Sequence, residues 1–300
     1  MKINLKRLTS VFVIFALLTF SVTPIYAANK TKSSIPVVVF KGGTSTKIHF
    51  DKNLGTPFVD RNNRTLCPLR AVADTLTLDV TWNQERKTAS FTGGGNVNYT
   101  ESDENNMLHV VQTAEFHIGK NYYEIECSVF NTEGKEIDNI KGKVRMDTTP
   151  VIKNGRIYAP VRYLSEAFAS PCIWDKKHNA VIISQIENRY FPQLLLEHAQ
   201  LKFRKTDNYM GDISNIAEAL KRINLYSQTI STKEVLVPRF LETSHNFKDS
   251  DQLGWHFCLD MIGDNLECVP NYGEYYVKFS GEIYKFNNIT DSWDIVYGAG

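Results

Sequence analysis

Three hundred residues with a formal net charge of +1, 42% hydrophobic and 22% charged, are an ordinary globular composition with room for about two domains. Near-neutrality excludes a large nucleic-acid footprint, which needs a clustered basic excess, while leaving a local basic patch open. Five cysteines without a Cys-x-x-Cys spacing exclude a zinc-ribbon or dithiol redox framework, and their odd number leaves at least one outside any intrachain disulfide.

The chain opens with Lys2, Lys6 and Arg7, then the apolar run Val11 to Phe20, then Pro24 and the small pair Ala27-Ala28. That order is the pattern of a secretory signal peptide over residues 1–28. The run is shorter than the ~20 residues that span a bilayer, and no later stretch is long and apolar enough to do so. The mature chain is therefore expected to be secreted, extracellular or cell-wall associated, with no membrane span after cleavage. Asn29 to Ser34 reads as a polar lead-in. Val37–Phe40 and Thr46–Phe50 around Lys41-Gly42-Gly43 read as a hairpin, and Pro57–Val59 with Thr65–Cys67 around Asp60–Asn63 as another. Pro68 suits a first helical position, and Leu69, Val72, Ala73 and Leu76 follow on one helical stripe. Val80 and Trp82, the turn Asn83 to Lys87, and Thr88–Phe91 then form two strands.

This unit returns. Arg64 to Leu76 recurs as Arg156 to Phe168, and the register runs on from Trp82/Trp174 to Phe91/Ile183 at a constant offset of 92 positions. Arg64/Arg156, Pro68/Pro160, Arg70/Arg162 and Trp82/Trp174 are identical across the two copies. A fixed offset carrying the same punctuation marks a duplicated β-β-α-β-β unit. Between the copies, Leu108–Val111, Tyr122–Ile125 and Lys143–Met146 are strand candidates, and Gly93–Gly95 and Glu101–Asn106 read as loops.

A boundary is expected near Ser184 to Arg189. Beyond it, Phe191, Leu194, Leu195, His198 and Leu201 suggest one amphipathic helix, and Ile213, Ile216, Ala217, Leu220 and Ile223 a second. Strands follow at Trp255–Met261, Tyr275–Phe279, Glu282–Phe286 and Trp293–Tyr297. Helices followed by an antiparallel sheet make the fold class α+β. The expected organisation is a signal peptide (1–28), a duplicated module (29–185) and a smaller α+β domain (186–300).

The quoted repeats, Gly55 to Leu76 with Val80-Thr-Trp82 and Pro150 to Phe168 with Ile173-Trp-Asp175, resemble the copper amine oxidase N-terminal-like (stalk) domain over about Val37 to Ser184. The family pattern is a hairpin with an Asn-Gly-Arg-like turn, Val-Pro-Leu-Arg opening a helix, and a strand ending in Trp-Asp. Cys67 and Ala159 replace its Val, Asn83 its first Asp, and Thr77 and Ala169 the Gly after the helix. The resemblance implies an accessory stalk without copper or quinone, displayed outside the cytoplasm of a Gram-positive bacterium. In similar exported proteins the module is joined to wall hydrolases, other enzymes or regions of unknown role.

The candidate chemistry is sparse. Seven histidines (His49, His109, His117, His178, His198, His245, His256) show no His-x-His, and no metal or cofactor is expected. Asn271-Tyr272-Gly273-Glu274 has Gly where quinone formation needs an acid. Arg70 and Arg162 are either paired anion or sugar binders, or ties from each helix to a strand, a carbonyl or the neighbouring Trp82 or Trp174. Those two tryptophans read as core lids ahead of sugar platforms. Cys67 and Cys172 read as small buried hydrophobes, Cys127 is unexplained, and Cys258 and Cys268 flank Gly263-Asp-Asn265 as a possible disulfide. The triplet His256, Cys258 and Asp260 is explained by strand alternation as well as by a thiol mechanism. Glu197, His198, Asp207 and Asp212 are candidates to line a cleft between the helices. Tyr275, Tyr284, Trp293 and Tyr297 form the best ligand-site candidate, an aromatic strip suited to carbohydrate or peptide. The reading is a non-catalytic exported protein that associates with a cell-wall polymer or surface protein and displays its C-terminal domain. Its rival is a wall-directed hydrolase using Glu274 or Asp260.

Overall fold

The computed structural model describes residues 35–98, 107–203, 216–230, 235–244, 254–278 and 280–298. The expected signal peptide and lead-in, the loop candidate Glu101–Asn106, and Asp207, Asp212, Ile213 and His245 lie outside the described residues. The described residues all fall in one compact unit, and the junction at 185/186 lies inside it.

The architecture is α+β, with four sheets and four helices among the described residues. The first hairpin, β1 (Val37–Lys41) with β2 (Thr44–Lys47), closes through Gly42 and Gly43 at φ of 56° and 76°. Two consecutive left-handed residues match the twist of a tight hairpin, which is why glycines stand there. The hairpin β3 (Phe58–Val59) with β4 (Thr65–Pro68) leads into α1 (Leu69–Thr75), and β10 (Val151–Lys153) with β11 (Arg156–Pro160) leads into α2 (Val161–Ala167). Pro68 and Pro160 are the caps, one residue before the first helical position, with extended ψ of 112° and 121°. Each proline ends its strand and starts the helix in one step.

Both helices stop in the same way. Leu78 N bonds Ala73 O at 2.9 Å and Ser170 N bonds Ser165 O at 2.9 Å, around Thr77 (φ 59°) and Ala169 (φ 52°). This is a Schellman cap, in which the left-handed residue is usually glycine. The two hairpins then meet: β4 pairs antiparallel with β11, and the register sets Cys67 opposite Ala159, with Leu66 opposite Pro160 and Pro68 opposite Tyr158. Residues at equivalent places in the two copies thus face each other across a local two-fold.

After the helices the copies diverge. The hairpin β5 (Asp79–Asn83) with β6 (Thr88–Asn98) grows into a five-stranded meander with β7 (Met107–His117), β8 (Tyr122–Phe130) and β9 (Glu136–Arg145). The hairpin β12 (Cys172–Asp175) with β13 (Ala180–Gln185) instead pairs in parallel with β1. Val37–Phe40 and Val181–Ile183 are buried, as continuous apolar runs beside a parallel pairing should be. The expected loop at Gly93–Gly95 is strand, part of β6. A Cβ on Gly94 would lie 2.0 Å from the Val110 carbonyl oxygen, and one on Gly95 2.9 Å from the ring of Pro192. The glycines permit close approach rather than a turn.

Helix α3 (Phe191–Phe203) crosses β6 to β9 and buries Phe191, Leu194, Leu195, Leu196 and Ala199 against that meander. Each leucine contributes about 2 kcal/mol by burial. Helix α4 (Ile216–Ile230) packs on a last sheet of β14 (Leu236–Ser244), β15 (Gly254–Ile262), β16 (Cys268–Lys278), β17 (Ile283–Asn287) and β18 (Ser292–Tyr297). A single apolar cluster runs from Val37 through Phe116 and Leu195 to Tyr275 and Ile283, so α3, α4 and the last sheet share the core of the repeats.

Candidate functional site

An open groove of about 980 Å³ lies in the repeat region, between the β3–β4 hairpin and residues 145–151. Its wall includes Phe58, Val59, Arg61, Asn62, Arg145 and Tyr163. The turn is shaped by Asp60, whose Oδ1 accepts the backbone N–H groups of Asn62 and Arg64, both at 2.8 Å. Its other oxygen accepts the Thr148 hydroxyl at 2.9 Å, which ties the turn to the opposite wall. The exposed guanidiniums of Arg61 and Arg145 have no ion-pair partner among the described residues.

At the groove's base Asp147 gathers one arginine from each copy. Arg64 donates through Nε to Oδ2, and Arg162 donates through Nη2 to the same oxygen at 2.7 Å. The Tyr163 hydroxyl donates to Oδ1 at 2.8 Å and accepts from Arg162 Nη2 at 2.7 Å and from Asp147 N at 2.9 Å. Burial pushes the Asp147 carboxyl up, but the Tyr163 hydroxyl and the two guanidiniums outweigh it and hold its pKa below the ordinary value. Four guanidiniums in and beside the groove thus meet two carboxylates, and the groove favours an anionic ligand.

The open alternatives for the repeated arginines divide by copy. Arg162 ties its helix to a carboxylate. Arg70 is exposed, with no hydrogen bond or ion pair among the described residues. Arg156 donates to the carbonyl oxygens of Asn53 at 2.7 Å and Lys52 at 2.8 Å. Trp82 and Trp174 are 37% and 42% exposed, so neither is a core lid.

The C-terminal aromatics do not make one strip. Tyr275 is fully buried against Tyr226, ring centroids 5.9 Å apart, and Tyr297 also approaches Tyr226, at 6.0 Å. Tyr284 is paired across strands with Tyr276, which lies 6.1 Å from Trp293 in a separate small cluster. Successive residues of a strand point to opposite faces, so Tyr275 and Tyr276 divide the set between the two sides of the sheet. Nor do Cys258 and Cys268 face each other: Cys258 is paired with Glu274 and Cys268 with Ile262, and none of the five cysteines is in a disulfide. Cys67 and Cys127 are fully buried, and Cys172 is partly buried against the core.

The remaining nominated groups are engaged structurally. Asp260 accepts a two-point contact from Arg239, at 2.7 Å and 3.1 Å, and Cys258 Sγ lies 3.5 Å from its Oδ1. Burial, then the Asp260 carboxylate, push the Cys268 thiol up to about 11, the wrong direction for a nucleophile. Glu274 lies 3.3 Å from His256 Nε2. Glu197 is buried between the helices and accepts the Ala217 N–H at 3.2 Å, capping α4. Burial, helped by Lys202 and Lys221, pushes the His198 imidazole down to about 4. One further trio, Glu115, His117 and Glu124 on β7 and β8, brings its ligand atoms within 4.8 Å of one another. It was invisible as a spacing motif because Glu124 enters from the next strand, although Glu-x-His before a hairpin was the available signal.

Residues 46–183 match the family model of the copper amine oxidase N-terminal domain. The chain therefore carries a copper amine oxidase N-terminal-like domain over that span, a non-catalytic, stalk-like family. No curated protein and no solved structure matches the chain.

Proposed function

We propose that this stalk-like domain, duplicated from a single β-β-α-β-β unit, serves in an exported, non-catalytic protein that associates with an anionic polymer of the bacterial cell wall and so displays its C-terminal sheet at the surface. The observation that carries the reading is the groove above Asp147. It is wide and open, is built by the repeats, and presents Arg61 and Arg145 without competing acids on them. Guanidiniums that are weakly hydrated and fork-shaped suit phosphate or carboxylate groups spaced along a polymer. The engagement of Asp260 by Arg239 and of Glu274 by His256 counts against the hydrolase alternative, since each carboxylate is already held by a neighbouring side chain, although Glu274 borders a second open groove of about 540 Å³ with Tyr272 and Lys285.

The test is co-sedimentation of the whole mature chain, beginning at Asn29, with purified sacculi, assaying the supernatant for released muropeptides. Saturable binding is expected, weakened by salt and reduced about tenfold in the double variant Arg61→Gln, Arg145→Gln, because screened contacts to a polyanion carry the affinity. Release of muropeptides, or binding indifferent to both arginines, would overturn the reading.

A further inference from the structure

On the solvent side of the meander, β7 and β8 set two acids directly opposite each other: Glu115 is the cross-strand partner of Glu124. Like charges so placed repel, and a sheet tolerates them when something positive lies between or beside them. His117 is two residues beyond Glu115 and shares its face, with Nε2 3.0 Å from Glu124 Oε2. The three side chains are partly buried, His117 the most, at 14% exposed.

Each member is also held from behind. Arg86 Nη2 contacts Glu115 Oε2 at 2.9 Å, and the Ser90 hydroxyl donates to Oε1 at 3.1 Å. Lys143 Nζ contacts Glu124 Oε1 at 3.1 Å, leaving Oε2 turned toward the imidazole. Behind the imidazole, Thr88 Oγ1 lies 2.9 Å from His117 Nδ1 and also donates to the Arg86 carbonyl at 3.1 Å. In the metal-free protein Nε2–H donates to Glu124, because a carboxylate can only accept. A bound cation would take the place of that proton, and with the threonine proton on the Arg86 carbonyl, Nδ1–H would then donate to Oγ1. This is the outer-shell arrangement by which proteins orient a metal-binding histidine.

We propose that Glu115, His117 and Glu124 bind one divalent cation of the zinc class, through one oxygen of each carboxylate and Nε2 of the imidazole, with the outward position open to water. A mixed nitrogen and oxygen donor set on three protein ligands is a zinc-type site. Tetrahedral ligation asks for donor separations of about 3.3 Å, so the trio, already within 4.8 Å, closes by small side-chain rotations of rigid-strand residues. The two carboxylates neutralise the ion, while Arg86 and Lys143 oppose it at longer range. The charge of those two cations makes a distinctive prediction, since removing either one should tighten binding.

The experiment titrates Zn²⁺ into the full mature chain, stripped of metal, by calorimetry, with the Co²⁺ absorption spectrum reporting the donor set. One saturating equivalent is expected, weakened about tenfold or more by His117→Gln and by Glu124→Gln, and strengthened several-fold by Lys143→Gln. His109→Gln, another histidine on β7, should leave it unchanged. Melting curves of each variant without metal separate loss of ligand from loss of fold. Absence of saturable binding, equal weakening by His109→Gln, or affinity indifferent to His117 and Glu124 in folded variants would overturn the proposal.

Discussion

The two copies obey one local rule and serve different clients. Each has a hairpin, a proline that closes the strand, a seven-residue helix and a left-handed cap. Their arginines nevertheless end in different places. Arg64 of the first copy and Arg162 of the second converge on Asp147, whereas Arg156 reaches only backbone carbonyls and Arg70 reaches no described residue. The position equivalent to Asp147, 92 residues earlier, is Gly55. There a Cβ would lie 2.3 Å from the Tyr158 hydroxyl, so the first copy has no room for an acid. The recurring motif thus keeps its backbone geometry in both places, while Asp147 against Gly55 decides where the arginines end.

The largest expected effect comes from an element the copies do not repeat. His198 on α3 is pushed down to about 4 from an ordinary 6.5 by burial, with Lys202 and Lys221 adding to it. Below the ordinary value the unfolded chain takes up a proton that the folded chain refuses. Stability therefore rises with pH through this window, is full above it, and falls by about 3 kcal/mol on acidification toward 4. Denaturation curves across the window should show that slope in the native chain and lose most of it in His198→Leu; an unchanged slope would place the acid sensitivity elsewhere.

The Asp147 cluster comes next and tests the comparison directly. Asp147→Ala should cost about 1–2 kcal/mol, by stranding two guanidiniums and a hydroxyl. Arg162→Gln should cost part of that, and Arg70→Gln less than about 0.5 kcal/mol, since it holds nothing. Because the folded carboxyl lies below its ordinary value, its contribution is present above the ordinary carboxylate range and is lost as pH falls through the lower folded value. That loss follows the His198 window, so the two are separable in one titration. Equal costs for the two arginine variants would erase the distinction between the copies.

The smallest effect concerns the caps. Thr77→Gly should stabilise by about 0.5–1 kcal/mol, because an exposed β-branched residue is relieved of a left-handed backbone. Ala169→Gly gains the same relief but gives up a buried methyl, worth up to about 0.8 kcal/mol, and should be close to neutral. Urea denaturation midpoints of both variants decide this, and equal shifts would show that burial does not separate the caps.

Local features were legible in advance because neighbouring residues impose them. Asn154-Gly155 and Gly42-Gly43 set hairpin turns through positive φ, and the stripe of Leu69, Val72, Ala73 and Leu76 set a helix face. The site was less legible. Tyr275, Tyr284, Trp293 and Tyr297 looked like one strip because aromatic density along a chain says nothing of which sheet face a helix will cover. Arg162 stands out in the sequence by its recurrence, but nothing local marks Asp147, since their meeting depends on where β9 delivers the chain.

What the sequence by itself determined was the repeat, its punctuation and the α+β class, each encoded in φ preferences and hydrophobic period over a few residues. The tertiary structure alone decided that β4 pairs with β11 across the copies, that β13 lies parallel to β1, that Gly93–Gly95 run as strand beneath α3, and that Glu115 meets Glu124. Those are pairings between distant segments, chosen by which surfaces can be buried together, and no local preference carries that information.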